Sequence, residues 1–193
     1  VFVSRDYPSL IRGGHTFSII RISDEKIASY REKIDILIAL NFETLEKHRF
    51  LLKEGCFYIY DSDNFKDNGS FCGTGVPLKT ILKEENAPEF VKNSCLIGSF
   101  CKAAGIEWEI LEKTLKKSIT KEIEINLKVA KRGYDISREF FKIEKISQIS
   151  LPVLTGNEAL GLGFIKGGLD VYIGYPMTPS SALLHFLASV GPE

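Results

Sequence analysis

The sequence predicts an α/β protein, a three-layer sheet domain with a helical tail followed by a second, shorter α/β segment. Three observations carry this. Residues 35–40 (Asp-Ile-Leu-Ile-Ala-Leu) and 56–60 (Cys-Phe-Tyr-Ile-Tyr) flank a plausible helix over 44–53, the strand–helix–strand order of a sheet with crossovers. From Pro88 to about Phe141 the apolar residues recur at helical spacing. Near the end, residues 170–173 read as a strand and 182–188 as a helix, joined by Gly-Tyr-Pro-Met-Thr-Pro-Ser-Ser at 174–181.

Taken in order, Val1, Phe2 and Val3 look like the tail of a strand, and 16–23 alternate as a second one. The continuous apolar run at 35–40 belongs to a buried, often parallel, strand. Leu45, Arg49 or Phe50, and Leu52 mark the faces of the helix over 44–53, which Gly55 is expected to end. Residues 61–75 turn polar and glycine-bearing, as a surface loop or weak hairpin does. Phe90, Val91, Cys95, Leu96, Ser99 and Ala103 line one face of a helix closed by Gly105. Ile110, Leu111, Leu115 and Ile119 define a second helix, and Ile123, Leu127, Ala130 and Tyr134 a third. The charge runs among them read as solvated helix faces. Pro152 marks a boundary, so the chain divides into 1–141, a linker at 142–153, and 154–193. Beyond it, Thr155 and Glu158 supply a cap and an acidic first turn for a small-residue helix. Gly156, Gly161 and Gly163 follow no strand and lack the dinucleotide order, so close packing against a neighbour explains them better.

The composition narrows the function. Of 193 residues 44% are hydrophobic and 26% charged, a globular balance. Lys+Arg and Asp+Glu stand at 25 each, which argues against a nucleic-acid surface or a polybasic membrane anchor. No apolar run approaches the roughly 20 residues that span a bilayer, and no signal-peptide pattern opens the chain. Cys56, Cys72, Cys95 and Cys101 form no C-x-x-C pair, and His15, His48 and His185 lack ligand spacing, so no metal site is expected on this chain. Reduced cysteines used as small core residues point to a cytoplasmic protein. The start at Val1 and the end at Glu193 suggest a fragment.

The stretch with most chemical content is 174–181. Thr178 stands where an N-cap belongs and Pro179 at the first helical position, with Ser180 and Ser181 beside the unpaired N–H groups of the first turn. A strand ending in such a turn aims a helix N-terminus beyond the sheet, where a carboxylate or phosphate is favoured. An ordinary capped βα turn has the same local chemistry. A second candidate is Arg12-Gly13-Gly14, where the glycines allow close backbone approach and the guanidinium offers a fork for phosphate or carboxylate. A bulge or turn with Arg12 in a salt bridge is the alternative. His15, next to it, reads as structural.

These segments together resemble the 2-oxoacid:ferredoxin oxidoreductase family, thiamine-diphosphate enzymes that act on pyruvate, 2-oxoglutarate or indolepyruvate. Residues 1 to about 141 are similar to the γ subunit or domain, through Tyr-Pro-Ser-Leu-Ile-Arg-Gly-Gly at 7–14, Ile-Arg-Ile-Ser-Asp at 20–24, Asp-Ile-Leu-Ile-Ala at 35–39 and Asn-Leu-Lys-Val-Ala-Lys-Arg-Gly-Tyr at 126–134. Residues 154–193 resemble the start of the α subunit, a thiamine-diphosphate-binding-type α/β domain, through Gly-Asn-Glu-Ala-Leu-Gly-Leu-Gly at 156–163 and the 174–181 motif. That order is similar to the large subunit of 2-oxoacid or 2-oxoglutarate oxidoreductases. The chain departs from the pattern in lacking a glycine-rich opening, in having Met177 where the family has Ile, and in having Ala182 where an acidic residue is common.

The resemblance implies oxidative decarboxylation of a 2-oxoacid to an acyl-coenzyme A with reduction of ferredoxin. It implies that Thr178 contacts the substrate carboxylate or carbonyl, that Tyr175 and Pro176 shape the pocket wall, and that Arg12, Gly13 and Gly14 serve coenzyme A. Tyr175 as a packing aromatic is equally consistent with the residues. Thiamine diphosphate would be shared with a partner β subunit carrying the magnesium and the iron–sulfur cluster, in a hetero-oligomer. The glutamate that activates the thiamine ring is expected beyond Glu193, so no catalytic residue is assigned here. The alternative is a non-catalytic α/β module that docks onto a thiamine enzyme or binds coenzyme A, with a free-standing binder of phosphate ligands as a third option.

Overall fold

The computed structural model describes residues 1–6, 14–65, 72–143 and 152–191. They fall into two units, Val1–Ile146 and Ser147–Glu193. The first opens with an antiparallel ribbon, β1 (Phe2–Asp6) against β2 (Phe17–Arg21), with Val3 opposite Ile20. Its three-stranded sheet is separate and parallel, in the order β3 (Ile34–Ala39), β4 (Leu52–Asp61), β5 (Gly73–Val76). Helix α1 (Phe42–His48) crosses over between β3 and β4, and its first turn is capped by Asn41, whose side chain accepts from the Thr44 N–H at 2.9 Å.

The pleat explains the layers. On β4, Cys56 packs with Leu37, Ala39 and Leu45 on the α1 side, while Phe57 and Ile59 point to the opposite face. There they meet Val76, Cys95, Leu96 and Val129, from β5 and from helices α3 (Lys92–Ala103) and α5 (Ile123–Ile136). The predicted parallel sheet with helices on both faces is therefore present. A short α2 (Leu78–Glu84) leads to α3, and α4 (Trp108–Ser118) packs Leu111 and Leu115 against Cys101 and Ala130. The chain after α5 folds back, with the Phe140 and Phe141 N–H groups donating to the Ala103 carbonyl and Phe140 stacking on Phe57 at 4.2 Å.

The α3–α5 crossing is built on two glycines. A Cβ at Gly98 would lie 1.9 Å from the Ala130 carbonyl oxygen, and one at Gly133 would lie 1.9 Å from that of Cys95. Only hydrogen fits at either place. Arg132 on α5 reaches α2, pairing with Glu84 at 2.5 Å and also with Glu85, which Lys128 joins at 2.7 Å. That part of the charge run at 131–132 thus ties two helices together, whereas Lys131 pairs with Asp135 on the exposed face as predicted.

Several expectations are corrected. The helix over 44–53 stops at His48, continues as a 3-10 turn over Arg49–Leu51, and gives way to β4 at Leu52. Gly55 lies inside that strand at φ +74°, where the register jumps from Ile34 opposite Leu52 to Ile36 opposite Phe57, so it forms a bulge instead of a helix stop. The loop expected over 61–75 contains β5, whose glycines permit its close pairing with β4. Phe90 lies in a 3-10 turn before α3 and is exposed, so it leaves the apolar face that Val91, Cys95, Leu96, Ser99 and Ala103 form.

The second unit consists of α6 (Gly156–Lys166) and α7 (Ser180–Val190). Thr155 and Glu158 make the predicted capping box, with the helix beginning at Gly156. Of the three glycines, Gly161 alone is explained by packing, since a Cβ there would lie 2.5 Å from the Phe186 ring; Gly156 and Gly163 have open space around them. The strand expected over 170–173 does not form. No ladder partner faces these residues among those described, and Ile173 is 92% exposed. Among the described residues no helix is long and apolar enough to cross a membrane.

Candidate functional site

The turn between residues 174 and 181 is folded by its own serine. The Ser180 hydroxyl donates to the carbonyls of Tyr175 at 3.0 Å and Met177 at 2.6 Å. The Met177 carbonyl also receives the N–H groups of Ser180 and Ser181, at 2.9 and 3.2 Å. Pro179, preceded by a cis peptide bond, takes the cap position of α7, which has no side-chain cap. The expectation of Thr178 as N-cap and Pro179 as first helical residue is therefore corrected. So is part of the anion reading, because the first two N–H groups of α7 are spent on Met177 instead of facing outward.

What the turn does present is a set of side chains. Tyr175, Pro176, Met177 and Thr178 are all exposed, and the Thr178 hydroxyl makes no hydrogen bond among the described residues. The turn offers two hydroxyls with no partner among the described residues, those of Thr178 and Ser181, in the same short stretch as the exposed Tyr175 and Met177 side chains.

Of the second candidate, Arg12 and Gly13 lie outside the described residues. Gly14 is exposed and has φ +86°, a left-handed conformation that glycine adopts without strain. Immediately after it, His15 reaches α1, its Nε2 lying 2.9 Å from Nε2 of His48. Phe17 meets the His48 ring edge-on at 4.6 Å. Burial is the main force holding the His48 pKa below the ordinary histidine value, with smaller contributions from His15 and Lys47. The sequence treats these histidines as unrelated, and a separation of 33 residues carries no signal that would join them.

Cys56, Cys95 and Cys101 are buried and free, and burial pushes their thiols up to about 11, 12 and 11. Cys72 is exposed. Among the described residues no group of three or more His, Cys, Asp or Glu side chains could hold a metal ion.

Comparison with known proteins points to one family. The family model for pyruvate ferredoxin/flavodoxin oxidoreductase matches residues 1–136. The 2-oxoacid:ferredoxin oxidoreductase subunit alpha of Sulfolobus sp is 25% identical over 229 residues, covering 94% of this chain and 36% of that protein. The 2-oxoglutarate synthase subunit KorC of Methanocaldococcus jannaschii is 28% identical over 143 residues, covering 70% of this chain and 76% of that one. The chain thus spans about a third of the alpha-subunit relative's length. Among solved structures, the 2-oxoglutarate:ferredoxin oxidoreductase of Magnetococcus marinus, with 2-oxoglutarate, coenzyme A and succinyl-CoA bound, shares the fold at a TM-score of 0.82 and 24% identity, covering 97% of this chain and 35% of that one. The gamma subunit of a keto/oxoacid ferredoxin oxidoreductase from Geobacter sulfurreducens matches at a TM-score of 0.58 and 26% identity, covering 70% of this chain and 79% of that one. With the family model covering most of its length, the chain belongs to the pyruvate ferredoxin/flavodoxin oxidoreductase family.

Proposed function

We propose that this chain is the γ-like domain and the beginning of the α-like domain of a cytoplasmic 2-oxoacid:ferredoxin oxidoreductase. The enzyme would convert a 2-oxoacid such as 2-oxoglutarate to its acyl-coenzyme A and pass the electrons to ferredoxin. The observation that carries this reading is similarity running through both units to 2-oxoacid:ferredoxin oxidoreductase alpha subunits, over 94% of the chain.

In this reading the exposed Thr178 hydroxyl donates to the carboxylate or carbonyl of the 2-oxoacid, and Tyr175 and Pro176 form the wall that excludes water from its apolar part. Arg12 provides a fork for a phosphate of coenzyme A, and Gly13 and Gly14 let the backbone come close to it. Thiamine diphosphate, when bound, supplies the electron sink for loss of carbon dioxide. The donor set of the 174–181 turn, the Thr178 and Ser181 hydroxyls with Tyr175 and Pro176 close in sequence, fits one side of a thiamine–substrate pocket and holds no carboxylates for a magnesium diphosphate. That role, like the iron–sulfur cluster, is assigned to the β subunit of a hetero-oligomer.

The test is dye or ferredoxin reduction by the assembled enzyme containing this chain, with 2-oxoacid and coenzyme A varied. Reduction that requires both is expected, and Thr178→Ala should lower kcat/KM for the 2-oxoacid about tenfold, the loss of one hydrogen bond to a charged group. Absence of reduction with pyruvate, 2-oxoglutarate and indolepyruvate would sink the oxidoreductase reading. A second reading, a docking module without substrate contact, is favoured by the exposure of Ile173, Tyr175 and Met177. Unchanged kinetics in Thr178→Ala, with assembly weakened in Ile173→Asp, would support that reading instead.

A further inference from the structure

The β1–β2 ribbon raises a physical question. Two-stranded ribbons are marginally stable alone, and among the described residues this one shares no backbone ladder with the three-stranded sheet. Among the described residues, one side-chain hydrogen bond joins its strands and the Gly14–Thr16 lead-in to α1, and that is His15 to His48. Around it, Phe17 and the two imidazoles form a cluster of three rings, with centroids 4.6 to 5.6 Å apart.

We propose that His15 and His48 form a proton-sensitive clasp that fastens the β1–β2 ribbon to the C-terminal end of α1 and releases it when both rings are protonated. The proton count follows from the geometry. A contact between two Nε2 atoms at 2.9 Å needs one of them to carry hydrogen and the other a lone pair. Two neutral rings satisfy this. One added proton also does, since it can sit on the Nδ1 of the donor ring and leave the shared hydrogen in place. A second proton puts hydrogen on both facing nitrogens and two positive charges on rings 5.1 Å apart, and the bond is lost.

The surroundings disfavour a proton on His48. His48 is buried, and the Lys47 ammonium beside it opposes a further positive charge. Glu43, one turn back on α1, feels the charge of His15, but it is already paired with Lys47 at 2.6 Å. On the ribbon side, the charge that acts on His48 is that of His15 itself. The direction of the pH effect follows. A histidine whose folded pKa is depressed contributes stability that is complete above the unfolded value, about 6.5, and is lost as pH falls through and below it. The clasp is therefore closed at neutral and alkaline pH and opens in mild acid. It stands independently of the coenzyme A reading of Arg12-Gly13-Gly14.

NMR titration of the histidine rings in the full chain, together with amide hydrogen exchange expressed as protection factors, tests this. As pH falls from about 7.5 through the ordinary histidine value of about 6.5, the protection of Phe17–Arg21 should fall, while that of β4 stays constant. His48→Gln and His15→Gln replace a titrating ring by a neutral amide, and either should make that protection independent of pH. His15→Gln should also raise the His48 pKa toward its ordinary value. If His48 titrates at its ordinary value and replacing His15 leaves it unchanged, the clasp does not exist. The same conclusion holds if protection of Phe17–Arg21 keeps its pH dependence in both variants. Should His48→Gln fail to fold, the His15→Gln variant and the wild-type ring titration still decide.

Discussion

The two units differ in how they bury their apolar residues. In the first, Ile59, Val76, Ile81, Cys95 and Val129 are almost wholly inaccessible, and the sheet is covered on both faces. In the second, Gly161 and Leu183 are the buried positions, while Leu160, Leu162, Phe164, Ile165, Val171, Ile173, Tyr175 and Met177 are exposed. Both regions are hydrophobic in sequence, so hydrophobicity alone does not decide burial. What differs is closure: the first unit has facing layers, whereas two helices and a turn offer only one side of a core. Exposed apolar surface of that extent marks a surface suited to burial against further protein.

Glycine substitutions should break this contrast most clearly. Gly133→Leu places a side chain where the Cys95 carbonyl stands, and should destabilise the first unit by about 3 kcal/mol or prevent its folding. Gly163→Ala, in open space on α6, should be neutral or stabilise by up to about 1 kcal/mol. Urea denaturation followed by Trp108 fluorescence for the first variant, and helix content by circular dichroism for the second, would check the pair.

Isoleucine truncation gives a smaller difference of the same kind. Ile59→Ala, at 0% exposure, should cost about 3 kcal/mol. Ile173→Ala should change the stability of this chain by less than about 0.5 kcal/mol. Comparable losses from the two would mean that the second unit has a core of its own. Between these two falls Thr155→Ala, which removes the side-chain half of the capping box and should cost α6 about 1 kcal/mol, read as lost amide protection at Glu158.

How much could be read from the sequence follows the same divide between local and tertiary information. The strand over 35–40, the helical faces of α3 to α5 and the Thr155–Glu158 box are patterns contained within a few residues, and they are present except that Phe90 precedes α3 and Ile110 on α4 is exposed. β5 was hidden because two of its four residues are glycine, a choice explained only by tertiary neighbours, the Tyr58 backbone at Gly73 and the Tyr60 and Ser62 side chains at Gly75. Gly55 resembled a helix stop because glycine marks both helix ends and bulges, and the register decides between them. The run over 170–173 has strand composition but no ladder partner among the described residues. At the candidate site, Thr178 was singled out by the motif, while its release from capping depends on the Ser180 hydroxyl bending back to Tyr175 and Met177. The contact between His15 and His48 is tertiary throughout.

The paired glycines of α3 and α5 have a consequence for how this domain can vary. In most helix crossings a larger residue on one side can be offset by a smaller one opposite. Here each glycine faces a main-chain carbonyl, at Ala130 and Cys95, so the opposite helix has no side chain left to shorten. A second-site replacement cannot restore the spacing; only moving a whole helix can, and that would disturb the layer over Phe57 and Ile59. The crossing is therefore a place where compensation is closed off, and rescue of Gly98 or Gly133 variants is expected to come only from reversion.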